Sequence, residues 1–263
     1  MLFLPAVPDT FYWTDESWGP ALRCRPLDAV APHLFTTRQL ELSSQADWAR
    51  VGAAVDAAHV ATLTQVHGRD VVVIRSASNA ARRPEADVLV SDDPTTAIAV
   101  RAADCVPLLI GDPHSGAVAA VHAGWRGTAA GAATAAVEAL TREFAAAPGD
   151  LIAAIGPSIG PCCYEVGPEL RDAFLTAGHP RTRVDRWFMT PANTTQPRLD
   201  MWAANRDQLI AAGLLEENIH TCGLCTASNL ELFPSFRIEK EHAGRIAGAI
   251  KAKGKGQRAR THL

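Results

Sequence analysis

The chain has 263 residues, of which 48% are hydrophobic and 20% are charged, and its formal net charge is -3. This composition is typical of a folded globular protein and excludes a disordered chain or a collagen-like repeat. The small negative charge provides no overall attraction to nucleic acid or to an anionic membrane surface, so we expect neither as a partner. The sequence contains no run of 18 apolar residues, and we therefore expect no membrane span.

The N-terminal residues do not resemble a secretory signal, because they lack a basic segment and are interrupted by Pro5 and Pro8. We therefore expect a cytoplasmic protein. Without such a signal, six cysteines in a long chain are more typical of free thiols or metal ligands than of a disulfide framework. The roles of four of them and the oligomeric state stay open at this stage: Cys162, Cys163, Cys222 and Cys225.

Seven short apolar runs, rich in β-branched residues, predict β-strands. Their approximate bounds are Val60–Val66, Val71–Ile74, Ala86–Val90, Ala97–Ala102, Val106–Ile110, Ala117–Val121 and Leu151–Ile155. The turn sequences HGRD, residues 67–70, and DPHSG, residues 112–116, separate neighbouring runs. They favour antiparallel hairpins within a mixed sheet over strict alternation of strand and helix.

Four segments predict helices from their periodicity and their terminal Pro and Gly residues. These segments are Gly127–Phe144, Pro168–Ala177, Met201–Ala212 and a region near Glu241–Lys251. Because strands and helices interleave along the chain, we predict an α/β fold of mixed, partly α+β character. We expect residues 1–250 to form a single domain and residues 251–263 to form a basic, flexible tail.

Three residues with metal-ligating side chains stand at the edges of predicted strands. His67 follows the first strand, Cys105 precedes the run Val106–Ile110, and His122 follows Ala117–Val121. Their separations of 38 and 17 residues match no zinc-finger pattern. A lone His is usually a surface or packing residue and a lone Cys a small buried hydrophobe, so spacing alone does not unite them. If they converge, a three-ligand zinc site would keep a fourth position open, as in catalytic sites.

The sequence HAGWRG after His122 has two interpretations. Gly124, Arg126 and Gly127 open a predicted helix, where free N–H groups and a forked guanidinium suit a phosphate ion. Alternatively, the glycines permit the turn from strand to helix and Arg126 forms a structural ion pair. The spacing does not distinguish these two interpretations.

Five ordered motifs between about His67 and Ile250 carry a family resemblance: QVHG, ADCVPLL, HAGWRG, IGPSIGPCCYEVG and FPSFRIEKEHAGRIAG. Together they resemble the YfiH-like proteins, also called laccase-domain or multicopper polyphenol oxidase proteins. Members have been described as zinc-dependent purine nucleoside phosphorylases with adenosine deaminase activity. The resemblance implies one mixed α/β domain of layered sheets flanked by helices. It also implies that His67, Cys105 and His122 bind the metal.

The resemblance implies Zn²⁺ as cofactor, with Cu²⁺ as the alternative, and purine nucleosides and phosphate as small-molecule partners. The expected substrates are adenosine, inosine and methylthioadenosine. We expect Asp104 to act as the acid/base or to orient a histidine from outside the ligand set. We expect Arg126 to act on phosphate together with Gly124 and Gly127, and Tyr164 to lie near the pocket.

Two other functions remain open on the same residues. Copper-dependent oxidation of phenols would suit His and Cys ligands, although a multicopper oxidase needs several copper centres and clustered histidine pairs. A thiol hydrolase would use Cys105 as nucleophile, His122 as base and Asp104 or another carboxylate as orienter. Some members of the family have been linked to hydrolysis of peptidoglycan precursors.

Overall fold

A computed structural model describes residues 3–76, 83–192 and 195–253. Its strands are β1 (Phe11–Glu16), β2 (Gly19–Cys24), β3 (His33–Phe35), β4 (His59–Ala61), β5 (Val71–Ile74), β6 (Val88–Ser91), β7 (Thr96–Ala102), β8 (Val106–Gly111), β9 (Val118–Ala123), β10 (Ile152–Ile155), β11 (Phe188–Met189), β12 (Arg198–Leu199), β13 (Ile219–Thr221) and β14 (Ile246–Lys251). Its α-helices are α1 (Arg25–Asp28), α2 (Gln45–Ala54), α3 (Trp125–Ala130), α4 (Ala132–Phe144), α5 (Pro168–Thr176), α6 (Arg181–Trp187), α7 (Met201–Ala211) and α8 (Phe236–Glu239). Short 3-10 turns occur at Pro148–Asp150, Glu216–Asn218, Thr226–Ser228 and Lys240–His242.

The strands form two six-stranded mixed sheets and one small ribbon. The first sheet has the order β1-β2-β3-β14-β7-β4, the second has the order β13-β10-β8-β9-β6-β5, and β11 pairs with β12. Within these sheets β4 runs parallel to β7, β5 to β6 and β10 to β13, while the other pairs are antiparallel. The predicted mixed α/β class is confirmed.

The two sheets pack face to face and helices cover their outer faces. Alternate residues of each sheet fill the core between them, including Phe35 and Ile98 from the first sheet and Leu89 and Leu109 from the second. The other face of the second sheet packs on α4 and α7, while α2 covers the first sheet through Val51. Each fully buried aliphatic side chain contributes about 1.5–3 kcal/mol relative to exposure. Each sheet therefore buries apolar side chains on both of its faces, one against the other sheet and one against helices.

The Ala-rich segment predicted as one helix is divided into α3 and α4. Gly131 separates them with φ of 84°, a left-handed conformation that glycine adopts without a Cβ clash. The buried alanines of α4 let it lie close to the second sheet. The predicted helices at Pro168 and Met201 are observed as α5 and α7, each ending one residue earlier than predicted.

One of the two predicted hairpins is observed and the other is wrong. Residues 112–116 connect the antiparallel strands β8 and β9, and Asp112 accepts hydrogen bonds from the backbone N–H groups of His114 and Ser115. The HGRD segment instead crosses between sheets, because β4 belongs to the first sheet and β5 to the second. β4 pairs in parallel with β7, and β5 pairs in parallel with β6, so β4 and β5 do not form a hairpin with each other.

The helix predicted near Glu241–Lys251 is wrong, because this region forms β14. This strand lies between β3 and β7 in the first sheet and pairs antiparallel with both. Gly248 permits the packing, since a Cβ there would lie 3.1 Å from Pro107 and 3.2 Å from the Phe35 ring. Cross-strand pairing therefore overrides a local pattern that favours a helix.

The predicted tail begins inside the fold. Lys251 is the last residue of β14, and Lys253 donates a hydrogen bond from Nζ to the backbone oxygen of Ala29 over 2.7 Å. The remainder of the tail prediction, residues 254–263, lies outside the described residues. None of the helices in the described ranges has the length and apolar character that a membrane crossing requires.

Candidate metal centre

The candidate ligands meet at one edge of the second sheet. β8 and β9 form a hairpin in which Pro107 lies opposite His122, so the start of β8 and the end of β9 share this edge. β6 is antiparallel to β9 and β5 is parallel to β6, so both begin at the same edge. His67 lies before β5 and Cys105 directly before β8. Strand register therefore brings together residues that are 38 and 17 positions apart in the chain.

The side chains of His67, Cys105 and His122 converge. Their potential ligand atoms all lie within 4.8 Å of one another. The two imidazole rings meet edge to face, with centroids 4.9 Å apart. His122 is buried, Cys105 is half-buried and His67 is exposed, so the group opens to solvent on the side of His67. The expected convergence of the three residues is observed.

Asp87 positions two of the three candidate ligands, the ring of His122 and the backbone of His67. Its Oδ1 lies 2.7 Å from Nδ1 of His122, and its carboxylate accepts the backbone N–H groups of Val66, His67 and Gly68 at 3.2, 3.0 and 2.6 Å. With Nδ1 of His122 bound to a carboxylate, Nε2 is the nitrogen left for a metal ion. Burial raises the pKa of Asp87, but the hydrogen bonds from His122 and the Gly68 N–H outweigh it and lower that pKa.

Two residues at the site adopt left-handed backbone conformations, which are unfavourable for residues other than glycine. His67 has φ of 63° and Asp104, next to Cys105, has φ of 81°. A non-glycine residue in this region costs on the order of 1–2 kcal/mol. The surrounding hydrogen bonds must offset that cost, and such strain concentrates at functional sites.

Cys105 and His122 form a mutually stabilised charge pair. Burial raises the pKa of Cys105, but hydrogen bonds with His122 and His67 lower it to about 6. Burial lowers the pKa of His122, but hydrogen bonds with Asp87 and Cys105 raise it to about 9. The thiolate and the imidazolium thus stabilise each other. This pairing favours the thiolate that metal ligation requires, while a metal ion at Nε2 of His122 would have to displace the proton of the imidazolium.

The donor set and the space around it fit a metal ion. Two imidazole nitrogens and one thiolate sulfur suit zinc and also accommodate copper. Gly124 keeps the site open, since a Cβ there would lie 2.8 Å from Cys105 Sγ and 3.1 Å from His67 Cδ2. The three ligands leave a further coordination position free.

The three side chains line a cavity of about 1060 Å³. Its other charged lining residues are mostly basic: Arg83, Arg101, Arg126, Arg237, Lys240 and Arg245, against the acidic Glu41 and Asp104. Arg101 Nε is buried and has no hydrogen-bond partner within the described part of the chain. Burial lowers the pKa of Arg101, and the charges of Arg83 and Arg245 add to this effect. This electrostatic environment favours an anionic ligand.

Protein donors bind both carboxylate oxygens of Asp104. It accepts hydrogen bonds from Thr226 Oγ1 at 2.6 Å, Ser235 Oγ at 3.1 Å and the Arg237 backbone N–H at 2.6 Å. This geometry supports a residue that connects the loops around Cys105, and does not support the predicted acid/base role. The other role considered for Asp104, orienting a histidine, belongs to Asp87.

Arg126 and Tyr164, both predicted near the pocket, line it, and so do Trp125 and Arg237. Arg126 lies over the ring of Trp125 at 4.4 Å from its centroid, and Arg237 lies 5.1 Å from the ring centroid of Tyr164. No carboxylate in the described ranges forms an ion pair with Arg126. The structural ion pair considered for Arg126 is therefore absent from this part of the chain.

The two glycines predicted to bind phosphate are packed against the protein. A Cβ at Gly127 would lie 3.0 Å from the backbone oxygen of Gly68 and 3.4 Å from that of His122. Gly124 lies against Cys105 and His67, and neither glycine borders the cavity. Their observed contribution is close packing, which brings α3 onto the strand edge.

Sequence reasoning missed Asp87 and Arg101. Each is a charged residue inside a predicted apolar strand, since Asp87 lies in Ala86–Val90 and Arg101 in Ala97–Ala102. A charged side chain within a buried strand is rare unless it is paired or functional. That signal was present in the sequence and identifies both positions.

The fold and the site define a class: a layered α/β protein with a His₂Cys candidate metal centre at the wall of a basic cavity. The family model described as multi-copper polyphenol oxidoreductase laccase matches residues 37–253. The chain therefore belongs to this family, and the resemblance identified from its motifs is confirmed.

Curated relatives carry purine nucleoside phosphorylase names. One from Bacteroides thetaiotaomicron is 35% identical over 164 residues, which cover 62% of this chain and 60% of the relative. The matched region is thus less than two thirds of that relative's length. Purine nucleoside phosphorylase YlmD from Geobacillus stearothermophilus is 36% identical over 193 residues, covering 71% of this chain and 69% of the relative. A crystal structure of YlmD from that organism superposes with a TM-score of 0.80 at 30% identity, covering 94% of this chain and 100% of that one.

Proposed function

We propose that this protein is a zinc-dependent purine nucleoside phosphorylase that acts on adenosine, inosine and methylthioadenosine and also deaminates adenosine. The observation that carries the proposal is the position of the His67, Cys105 and His122 triad at the wall of a cavity with six basic lining residues. A neutral nucleoside and a phosphate anion together suit such a cavity in size and charge. Relatives at 35 and 36% identity bear the same enzyme name.

Phosphorolysis joins a phosphate oxygen to C1′ of the ribose while the bond from C1′ to the purine nitrogen breaks. The protein must therefore hold an anion beside the ribose and neutralise charge on the leaving purine. Arg126 is suited to the first task, because it lines the cavity and its guanidinium has no carboxylate partner among the described residues. A forked guanidinium binds two phosphate oxygens at once.

Tyr164 is suited to the second task. Burial raises its pKa to about 12, and the negative charge of Cys105 contributes to the increase. The phenol therefore stays protonated at neutral pH and can donate a hydrogen bond to the leaving base. Trp125, also on the cavity wall, offers a ring face on which a purine can stack.

A zinc ion at the triad would supply Lewis acidity, which polarises a substrate oxygen or activates water for deamination. The chain's own contribution is the preparation of the ligands. Asp87 holds His122 with Nε2 directed to the site, and His122 in turn keeps Cys105 as a thiolate. Deamination of adenosine would use the same open position as phosphorolysis, with water as the attacking group.

The thiol hydrolase is the second candidate, because Cys105, His122 and Asp87 form a connected nucleophile, base and orienter. His67 distinguishes the two candidates, since a thiol hydrolase has no need of a second imidazole within 4.8 Å of the sulfur. Phenol oxidation has less support. In the described part of the chain, metal-ligating side chains gather in two groups, this triad with two histidines and one all-thiol group, which do not supply the several histidine pairs that a multicopper oxidase needs.

The test is purified full-length protein, stripped of metal with a chelator and reconstituted with zinc or copper. We expect adenosine and phosphate to give adenine and ribose 1-phosphate, with slower formation of inosine, only after zinc is restored. Hydrolytic activity that persists after the chelator has removed the metal, and that alkylation of Cys105 abolishes, would identify a thiol hydrolase. Rapid phenol turnover with stoichiometric copper would identify an oxidase, and no consumption of any purine nucleoside in the presence of metal would refute the proposal.

A further inference from the structure

A second group of ligands lies outside the candidate metal centre. The Sγ atoms of Cys162, Cys163 and Cys225 all lie within 4.8 Å of one another. The first two belong to the loop after β10, and Cys225 directly precedes the turn Thr226–Ser228. None of the three lines the cavity described above. We call these three residues the thiol cluster.

Backbone contacts fix the two loops that carry the thiol cluster. Ser158 and Cys225 form a parallel bridge, in which the Ser158 N–H donates to Leu224 O at 3.2 Å and the Thr226 N–H donates to Ser158 O at 3.0 Å. The N–H of Gly160 donates to Cys225 Sγ at 3.2 Å. The sulfur atoms therefore lie close together because backbone hydrogen bonds join the two loops beside them.

Packing keeps the first of these loops in place. The ring of Trp202 lies so close that a Cβ at Gly160 would be 2.6 Å from its nearest carbon. Trp202 also donates from Nε1 to Ser158 Oγ at 2.6 Å. The thiol cluster is thus preorganised, which lowers the cost of ordering ligands around an ion.

The thiol cluster differs from Cys24 and Cys222 in its access to solvent. Cys24 and Cys222 are both buried, whereas the cluster has one exposed, one half-buried and one buried member. Cys162 is exposed, so an ion can reach the cluster from solvent.

We propose that Cys162, Cys163 and Cys225 form a second metal site, which binds one thiophilic ion of the Zn²⁺ or Cu⁺ class through three thiolates. Zinc–sulfur bonds of about 2.3 Å place three sulfur atoms about 3.8 Å apart, so each sulfur pair needs to approach by at most about 1 Å. The hydroxyl of Ser228 lies 3.1 Å from Cys163 Sγ and 3.6 Å from Cys162 Sγ. The hydroxyl or a water molecule can complete the ligand set.

The second site would stabilise the first through Asp104. Thr226, next to Cys225, donates to the Asp104 carboxylate, and the N–H of Ile159 donates to the Asp104 backbone oxygen at 3.0 Å. Both loops of the thiol cluster therefore attach to the residue that precedes Cys105. An ion bridging the loops would hold this strained residue in place.

The test is metal stoichiometry of the full chain, reduced and metal-free, titrated without oxygen with Zn²⁺ and, for its sulfur charge-transfer bands, with Co²⁺. We expect two ions per chain in the unmodified protein, one in Cys163→Ala, one in Cys105→Ala and none in the double variant. Cys24→Ala is the matched control and should bind two. Circular dichroism verifies that each variant is folded, and the Cys105→Ala protein reports on the thiol cluster whether or not the protein is a phosphorylase.

A second measurement does not depend on any substitution in the thiol cluster. Zn²⁺ should slow alkylation of Cys162 at least tenfold in the unmodified protein and in Cys105→Ala. A folded Cys105→Ala protein that binds no ion, a second ion retained by folded Cys163→Ala, or alkylation of Cys162 unchanged by Zn²⁺ would each overturn the proposal.

Discussion

Asp87 Oδ1 lies 2.7 Å from Nδ1 of His122, and the same carboxylate accepts three successive backbone N–H groups ending at Gly68. A single buried side chain therefore sets the ring orientation of one candidate ligand and the backbone of another, His67. Removing its charge should disturb the metal centre from outside the ligand set.

Asp87→Asn should weaken zinc binding about 10–100-fold, because an amide is a poorer acceptor for the His122 ring and for the N–H groups. Competition against a chromophoric chelator measures the affinity. The matched control is Asp112→Asn, since Asp112 is also buried and accepts N–H groups at the opposite end of the β8–β9 hairpin. Equal losses in both variants would show that general destabilisation, and not ligand orientation, is responsible.

Gly124→Ala should impair the site without removing a ligand. The new Cβ would lie 2.8 Å from Cys105 Sγ, and overpacking of this kind costs about 1–3 kcal/mol. Displacement of the sulfur relieves the clash, so we expect zinc affinity to fall about tenfold and the Co²⁺ absorption spectrum to shift. Gly149→Ala is the control, because the nearest atom to its Cβ among the described residues is the Gly213 backbone oxygen at 4.0 Å. An unchanged spectrum in Gly124→Ala contradicts the assigned geometry.

Arg126→Ala should raise the KM for phosphate about tenfold or more, because a hydrogen bond to a charged group contributes about 1.5–3 kcal/mol. The KM for the nucleoside should change little. Arg142→Ala serves as control, since Arg142 is an exposed residue of α4 paired with Glu143. If Arg101→Ala raises the phosphate KM and Arg126→Ala does not, the anion lies instead beside Nε of Arg101, which has no hydrogen-bond partner among the described residues.

His33 predicts a pH dependence of stability unrelated to the site. Its ring is fully buried, and burial lowers its pKa to about 4, although Asp28 and the Ala31 backbone oppose this change. The Cys24 N–H donates to Nε2, so the folded state requires the neutral ring. In the unfolded chain the ring takes up a proton near pH 6.5, so acid favours unfolding.

The stability supplied by a neutral His33 is complete above about pH 6.5 and decreases as the pH falls toward about 4, by roughly 3 kcal/mol. Urea unfolding at about pH 7 and about pH 4.5 measures the difference. His33→Gln should lose this part of the pH dependence, whereas the exposed His242→Gln should retain it. The same pH dependence in all three proteins would exclude His33 as its source.

Some of the fold was predictable because its signals are local. The run Val71–Ile74 coincides with β5, and the hairpin at residues 112–116 follows from turn residues between two apolar runs. The strand β14 was not predictable in this way, since its neighbours in the sheet, β3 and β7, lie more than a hundred residues earlier. The helical periodicity of the sequence near the start of β14 contains no information about these distant partner strands.

By itself, the sequence determined the types of residue available for metal binding and, through five motifs, the family to which the chain belongs. Tertiary structure decided which charged residues serve the ligands. Asp87 lies within one predicted apolar run and Asp104 just before another. Only the register of β6 against β9 places Asp87 next to His122. The loops from Thr226 to Arg237 occupy the carboxylate of Asp104 instead. A hydrogen bond depends on distances of about 3 Å, which pairing between distant strands sets and residue order does not.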